Sequence, residues 1–587
     1  MQTLQFLKPY LLRYRKILLI GVVTVILSNI FNVIQPLLLG KAVDELKYGL
    51  ETHTIITTDL LKLASLIVIF ALFAGICIFF TRQTIIVASR HIEYDLRNDF
   101  LQHLQSLHYS YFQNTSTGDL MAHATNDINA VRNALGPGIM YPVDTIITLI
   151  FVLIMMLIQD RELTLLALIP MIPTAFIVYL LGKAINKKFT ERQEQFSLLT
   201  SQAHESLLAI RVLRSFAREE YEKLKFNKLS LDYLKKNLQL AVVHSALWAI
   251  LFVFIGISLS ITLYAGGIRV IESRITIGTL TAFATYLAML IWPMIAFGWV
   301  VNMWQQGSAS VNRLKSIFDI QPEICDNELT NYNIKDIKGT IEFINVSFTY
   351  INSSQPAIKN INLKIHKGET VGIVGQTGSG KTTLVSLIPR IYDATSGRIL
   401  IDGIEIEKIP LSVLRAHIGF VAQEPFLFSD TIAENIRLGT KDCSYDLLYK
   451  AAEIAQILKD VEEFPNQFET IIGERGITLS GGQKQRATIA RAIVRNPCIL
   501  ILDDALSAVD THTANRITKN IRDFMNGKTC IIISHRILTV KDADKIVVLD
   551  NGEIAEIGTH DELMSTNGIY ANLYRKQLIE RQLEKIV

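Results

Sequence analysis

Gly375-Gln376-Thr377-Gly378-Ser379-Gly380-Lys381-Thr382-Thr383 decides how the second half of this chain folds. The apolar run 370–374 before it reads as a buried strand, and a helical pattern opens just after it. In that setting the glycines let backbone N–H groups turn inward and cradle phosphate oxygens. Lys381 supplies a point charge toward the β- and γ-phosphates, and the Thr382 hydroxyl is a ligand for Mg2+. The stretch predicts nucleotide binding on a strand–loop–helix unit.

Outward from this loop, the composition divides the chain in two. At 587 residues it is too long for one core. A net charge of +3 is mild and does not by itself suggest nucleic acid. Half of the residues are hydrophobic and the mean hydropathy is +0.30, high for a soluble enzyme. The excess lies before about residue 305, in six stretches long enough to cross a bilayer, where about 20 apolar residues suffice. These are 17–39, 60–86, 139–158, 163–181, 246–268 and 277–301. The third and fourth are broken only by Gln159-Asp160-Arg161-Glu162, a tight turn outside the membrane.

Lys8, Arg13, Arg15 and Lys16 precede the first stretch, and the connection between the fourth and fifth is rich in Lys and Arg. The opposite connections are shorter and poorer in both, which puts the termini and the two long connections in the cytoplasm. Residues 2–14 read as an amphipathic helix on the membrane surface. The long connections, about 90–138 and 185–245, are helical in pattern, with turns near 114–119 and 216–220. Their length suits docking elements for the second half. Five scattered cysteines without Cys-x-x-Cys spacing support neither a disulfide framework nor a zinc site.

In the second half, the apolar strand 498–502 ends in Asp503-Asp504, at the sheet edge where ligands bind in parallel sheets. Asp503 is expected to hold Mg2+, with Asp504 one residue nearer the attacking water. The strand 529–534 delivers His535 to the same edge. Ser480-Gly481-Gly482-Gln483 opens a second helix and forms a second candidate anion nest, with an ordinary N-cap as the alternative. Two phosphate-binding helix starts facing one γ-phosphate imply two copies of the domain.

From about residue 339 to 576 the chain resembles the nucleotide-binding domain of ATP-binding cassette (ABC) transporters. The resemblance implies that Tyr350 stacks on adenine and that 375–383 is the Walker A loop. Gln423 matches the glutamine linking Mg2+ to the membrane half, and 480–483 lies in the signature sequence. Residues 499–503 match Walker B, 507–510 the dimer-facing D-loop, and His535 the switch histidine. Residues 470–476, with Glu474, resemble the segment found before the signature in exporters. Thr117-Gly118-Asp119-Leu120, Thr125-Asn126-Asp127 and Ile210-Arg211-Val212 extend the resemblance to the six-helix membrane domain of exporter half-transporters. The implied architecture is an all-α transmembrane domain (1–325), a linker (326–340) and an α/β P-loop ATPase domain (341–587). Such proteins work as dimers, with two ATP molecules between facing cassettes in the cytoplasm.

The family usually has glutamate as general base after the Walker B aspartate; here it is Asp504. The carboxylate is drawn back by roughly 1.5 Å, and errors of about 1 Å can cost about 100-fold in rate. This resembles heterodimeric bacterial multidrug exporters in which one site is degenerate. A heterodimer is expected, although the retained His535 leaves a slowly hydrolysing homodimer, carrying lipid or peptide, open. Few charges lie near mid-membrane; Asn29, Asn32 and Gln35 are the clearest polar residues, with Trp292, Trp299 and Trp304 near the last stretch. The expected cargo is amphipathic or apolar rather than strongly anionic. A soluble chromosome- or repair-type ATPase would lack the six stretches. An ATP-gated channel or regulator on the same scaffold would differ by passing downhill ion current.

Overall fold

The computed structural model describes residues 2–52, 57–351, 353–440, 442–473 and 479–584. It divides into two units: Met1–Leu104 with Thr117–Ile320, and Gln105–Ser116 with Gln321–Val587.

In the first unit, six helical runs among the described residues are long and apolar enough to span a bilayer. They are Arg15–Thr52, Thr57–Ser106, Thr117–Gln159, Arg161–Leu208, Glu219–Ile271 and Ile277–Phe318. They carry the six apolar stretches read from sequence. Each run exceeds the membrane requirement, and the 53 residues of Glu219–Ile271 extend about 80 Å at helical rise. Three runs are interrupted. Gly136 separates Ile128–Leu135 from Pro137–Gln159, Pro170 ends the helix Arg161–Leu168, and Pro293 lacks the N–H that would bond to Met289, so that helix breaks at Leu290.

Small residues set the closest approach between helices. A Cβ on Gly278 would lie 1.9 Å from the Gly40 carbonyl oxygen, and the Gly278 N–H donates to Asp44 Oδ1 at 2.7 Å. Nearby, the fully buried Tyr286 donates its hydroxyl to the Val33 carbonyl at 2.9 Å. In the cytoplasmic extensions, Asp127 accepts from Ser310 Oγ at 2.8 Å and Arg313 Nε at 3.0 Å, beside His123 Nδ1 at 2.6 Å. This cluster ties the third run to the sixth.

The N-terminal helix Gln2–Arg13 packs part of its apolar face on protein: Leu7 is buried among Ile92, Leu96 and Leu314. Tyr10 donates to Asp99 at 2.7 Å and Arg13 to Asp95 at 2.6 Å, so the polar side of the helix is also docked on the second run.

The second unit contains β1 (Ile341–Phe348), β2 (Ile358–Ile365), β3 (Thr370–Gly375), β4 (Ser396–Ile401), β5 (Ile404–Glu405), β6 (Ile418–Val421), β7 (Ile499–Asp503), β8 (Thr529–Ile533), β9 (Lys545–Asp550) and β10 (Glu553–Gly558). A four-stranded sheet has the order β2-β1-β4-β5 and is antiparallel. A six-stranded sheet has the order β10-β9-β3-β8-β7-β6, with β9, β3, β8, β7 and β6 parallel and β10 antiparallel at the edge. Alternation along β7 explains why its run is apolar throughout. Leu500 and Leu502 face the cluster built on the helices, whereas Ile499 and Ile501 face the cluster shared with the four-stranded sheet. The short helix Tyr109–Asn114, at the first cytoplasmic turn, belongs to this unit: the Tyr109 ring meets Tyr392 edge-on at 5.9 Å. The second turn, at 216–218, lies in the first unit, with Ala217 at φ 48°.

Candidate nucleotide site

Parallel order brings the C-terminal ends of β3, β8, β7 and β6 to one edge, and each carries a residue singled out from sequence. Past β3 the chain turns through Gly375, Gly378 and Gly380 at φ 151°, 86° and 97°. The space is as demanding as the dihedrals: a Cβ on Gly375 would sit 2.2 Å from the Leu549 carbonyl oxygen, and one on Gly380 2.6 Å from that of Ala357. Gly378 faces open space, with nothing within 4 Å of a Cβ built there.

The side chains of the loop are arranged for an anion. Ser379 is 3% exposed, and its Oγ is buried without a hydrogen-bond partner. Lys381 donates its ammonium to the carbonyls of Gly375 at 3.0 Å and Gln376 at 2.7 Å. Burial pushes the Lys381 pKa down, while Asp504 and Asp503 pull it back up. A buried hydroxyl without a partner and an ammonium held only by loop carbonyls both have capacity left for phosphate oxygens. The loop therefore fits a nucleotide polyphosphate. Gln376, Thr377 and Thr383 complete it, and the Thr383 hydroxyl lies 2.9 Å from that of Tyr350. Tyr350 stands edge-on to Phe348 at 4.9 Å and Tyr392 at 5.5 Å, so its ring is held beside the loop.

At the end of β7, Asp503 is 1% exposed and accepts from the Thr382 hydroxyl at 3.1 Å. Burial pushes its carboxyl up, against the hydrogen bond from Thr382; Asp504 adds to the rise, and Lys381 opposes it. A hydroxyl and a carboxylate in contact are the hard-oxygen donors that Mg2+ takes when the remaining ligands come from phosphate and water.

Asp504 follows in the left-handed region at φ 47°, a conformation that Asp tolerates better than most residues. Its N–H donates to the Ile533 carbonyl at 3.0 Å, and its Oδ1 is 3.5 Å from the His535 N–H. The carboxylate is thus turned back toward the end of β8. His535 itself is exposed. Gln423, also exposed, follows the end of β6, which pairs with β7 through Val421 and Leu502.

The structure does not join Ser480–Gln483 to this cluster through any hydrogen bond among the described residues. Ser480 and Gln483 instead form a reciprocal capping box on the helix Gly481–Val494, at 3.0 and 3.2 Å, and Gln483 donates to Asp460 at 2.9 Å. A Cβ on Gly482 would lie 3.0 Å from the Ala508 carbonyl. Of the segment 470–476, residues 474–476, including Glu474, lie outside the described residues.

Two glutamines escaped sequence reasoning. Gln485 donates to Ser507 Oγ at 3.2 Å and accepts from the Ala508 N–H at 3.0 Å, which ties the 507–510 turn to the helix after Ser480. Gln577, on the C-terminal helix Ile569–Glu584, donates to the His535 carbonyl at 2.5 Å and accepts from the Ile537 N–H at 2.9 Å. The amide thus clasps the backbone on both sides of Arg536. Neither residue has a spacing that could announce it.

The chain matches two family profiles, "ABC transporter transmembrane region" over residues 18–294 and "ABC transporter" over residues 358–507. It is 38% identical to a probable multidrug resistance ABC transporter ATP-binding/permease protein, YheI of Bacillus subtilis, over 97% of this chain and 96% of that one. It is 35% identical to an ATP-dependent lipid A-core flippase of Syntrophus aciditrophicus, covering 88% and 85%. Among solved structures, a bacterial Atm1-family ABC exporter with ATP bound superposes with a TM-score of 0.79 at 26% identity, covering 96% of this chain and 99% of that one. With six apolar runs ahead of one P-loop sheet, and relatives matched nearly end to end, the chain belongs to the ABC exporters, as a multi-pass half-transporter of the cytoplasmic membrane whose cytoplasmic ATPase domain drives export.

Proposed function

We propose that this chain is the slow-hydrolysing half of a heterodimeric exporter of small amphipathic or apolar molecules. The observation that carries the reading is Asp504, whose short carboxylate stands where a general base must reach water and instead faces the His535 backbone at 3.5 Å. In this reading Tyr350 stacks on adenine, and the N–H groups of 375–383 with Ser379 receive the phosphates. Lys381 leaves the Gly375 and Gln376 carbonyls for the β- and γ-phosphate oxygens. Thr382, Asp503 and Gln423 hold Mg2+, which when bound neutralises charge on those phosphates. His535 orients the γ-phosphate. Gly481, Gly482, Ser480 and Gln483 complete the partner subunit's site rather than their own, in keeping with the bond from Gln483 to Asp460.

ATP binding draws two cassettes together, and hydrolysis at the competent site lets them part. The multidrug names of several relatives support drug-like cargo, and the flippase name supports a lipid as the second choice. ATPase activity of this chain purified alone, compared with the complex recovered from its native membrane, tests the proposal. Low activity alone and high activity in the complex are expected. Vigorous turnover alone, abolished by Asp504→Asn, overturns it in favour of a homodimer.

A further inference from the structure

The first unit holds a cavity of about 610 Å3 whose walls come from the first, second, third and sixth helical runs. Its size is that of a ligand pocket. One wall carries Tyr141 and Trp292, edge-on to each other at 6.2 Å, and behind it Tyr141 meets Trp299 at a tilt at 5.1 Å. Facing the same space is a carboxylate, Asp144.

The surroundings of Asp144 are specific. Asn29, 3% exposed, donates its amide to Asp144 Oδ1 at 2.8 Å and to the Val25 carbonyl at 3.0 Å. The Thr148 hydroxyl donates to Asn29 Oδ1, which fixes which end of the amide faces Asp144. Arg82 also lines the cavity, yet among the described residues the hydrogen bond to Asp144 comes from the neutral Asn29 and not from a cation. A carboxylate at membrane depth without a cation is costly, and such residues mark substrate paths. Aromatic faces beside it add attraction for positive charge.

We propose that this cavity is a cargo site for cationic amphipathic molecules, onium ions with apolar or aromatic substituents. Asp144 supplies the countercharge, and Asn29 positions it. The assignment rests on the export reading for its purpose, but binding can be measured without nucleotide, so the two stand or fall separately. The test uses the full chain in lipid nanodiscs, with its partner if one co-purifies, and the ions tetraphenylphosphonium and tetraphenylborate, alike in shape and opposite in charge. Binding is read by equilibrium dialysis and by quenching of tryptophan fluorescence, as wild type minus Asp144→Asn so that lipid partitioning cancels. Tetraphenylphosphonium should bind at least about tenfold more weakly to Asp144→Asn, while Asp144→Glu keeps most of the affinity and the borate shows no loss. Equal phosphonium binding by wild type and Asp144→Asn, with unchanged thermal unfolding, overturns the assignment. So does a borate signal that depends on Asp144 in the same direction. Binding that follows Asp144 without ATP-driven transport would contradict the export reading and leave this one standing.

Discussion

Restoring one methylene at Asp504 should move hydrolysis and stability in opposite directions. Asp504→Glu advances the carboxylate by roughly 1.5 Å, and a misplacement of about 1 Å can account for a factor of about 100 in rate. That factor corresponds to about 2.7 kcal/mol of barrier. The backbone opposes the change, because Asp504 sits at φ 47°. A left-handed conformation costs an ordinary L-residue about 1–2 kcal/mol, and Asp escapes part of this through local hydrogen bonds. The strain is present in ground and transition states alike, so it appears as lost stability rather than lost kcat. Steady-state and single-turnover ATP hydrolysis by the native complex, with thermal unfolding of the same preparations, measures both. Hydrolysis at this chain's Walker site should rise by up to about 100-fold while stability falls by about 1 kcal/mol. Unchanged hydrolysis in Asp504→Glu, together with its loss in Asp504→Asn, would refute the reasoning by making Asp504 a working base where it stands.

Gly375→Ala forces a Cβ to 2.2 Å from the Leu549 carbonyl and should abolish ATP binding, followed with a fluorescent nucleotide, at a stability cost above about 2 kcal/mol. Asp503→Asn should abolish Mg2+-dependent retention of ATP at this chain's Walker site yet stabilise the nucleotide-free chain at neutral pH by about 0.5–2 kcal/mol. The sign follows from its raised pKa: the protonated carboxyl suits the folded site, and that favourable contribution is lost as pH rises through the folded value. Melting curves of the two proteins should therefore draw together as pH falls through the folded value and coincide below the ordinary carboxylate value of the unfolded chain. Gly278→Ala, which brings a Cβ to 1.9 Å from the Gly40 carbonyl, should lower the thermal stability of the membrane unit without changing nucleotide affinity.

The parts legible in the sequence are those that composition and short motifs encode. Six apolar runs announce themselves because a membrane-crossing helix has no polar face, and the strand ending at Asp503 does so because both sides of β7 are buried. The chain breaks at Leu290 and Ile169 come from prolines inside apolar runs, Pro293 in one and Pro170 with Pro173 in the other, where hydropathy carries no signal. Asp144 stayed hidden because one carboxylate near the start of an apolar stretch carries no pattern; only the bond from Asn29 and the cavity it shares with Tyr141 give it meaning. Gln485 and Gln577 act through backbone groups far along the chain, which no local pattern records. The docked face of Gln2–Arg13 was missed for a related reason, since amphipathicity says that a face is covered but not by what.

The central claim is that this chain's Walker site holds ATP through cycles in which its opposite number hydrolyses. The direct measurement is the identity of nucleotide retained on this chain during steady-state turnover, by photocrosslinking α-labelled azido-ATP and resolving the label on each subunit as ATP or ADP. The account predicts mostly intact ATP on this chain and ADP on the partner; ADP in equal proportion on both would contradict it.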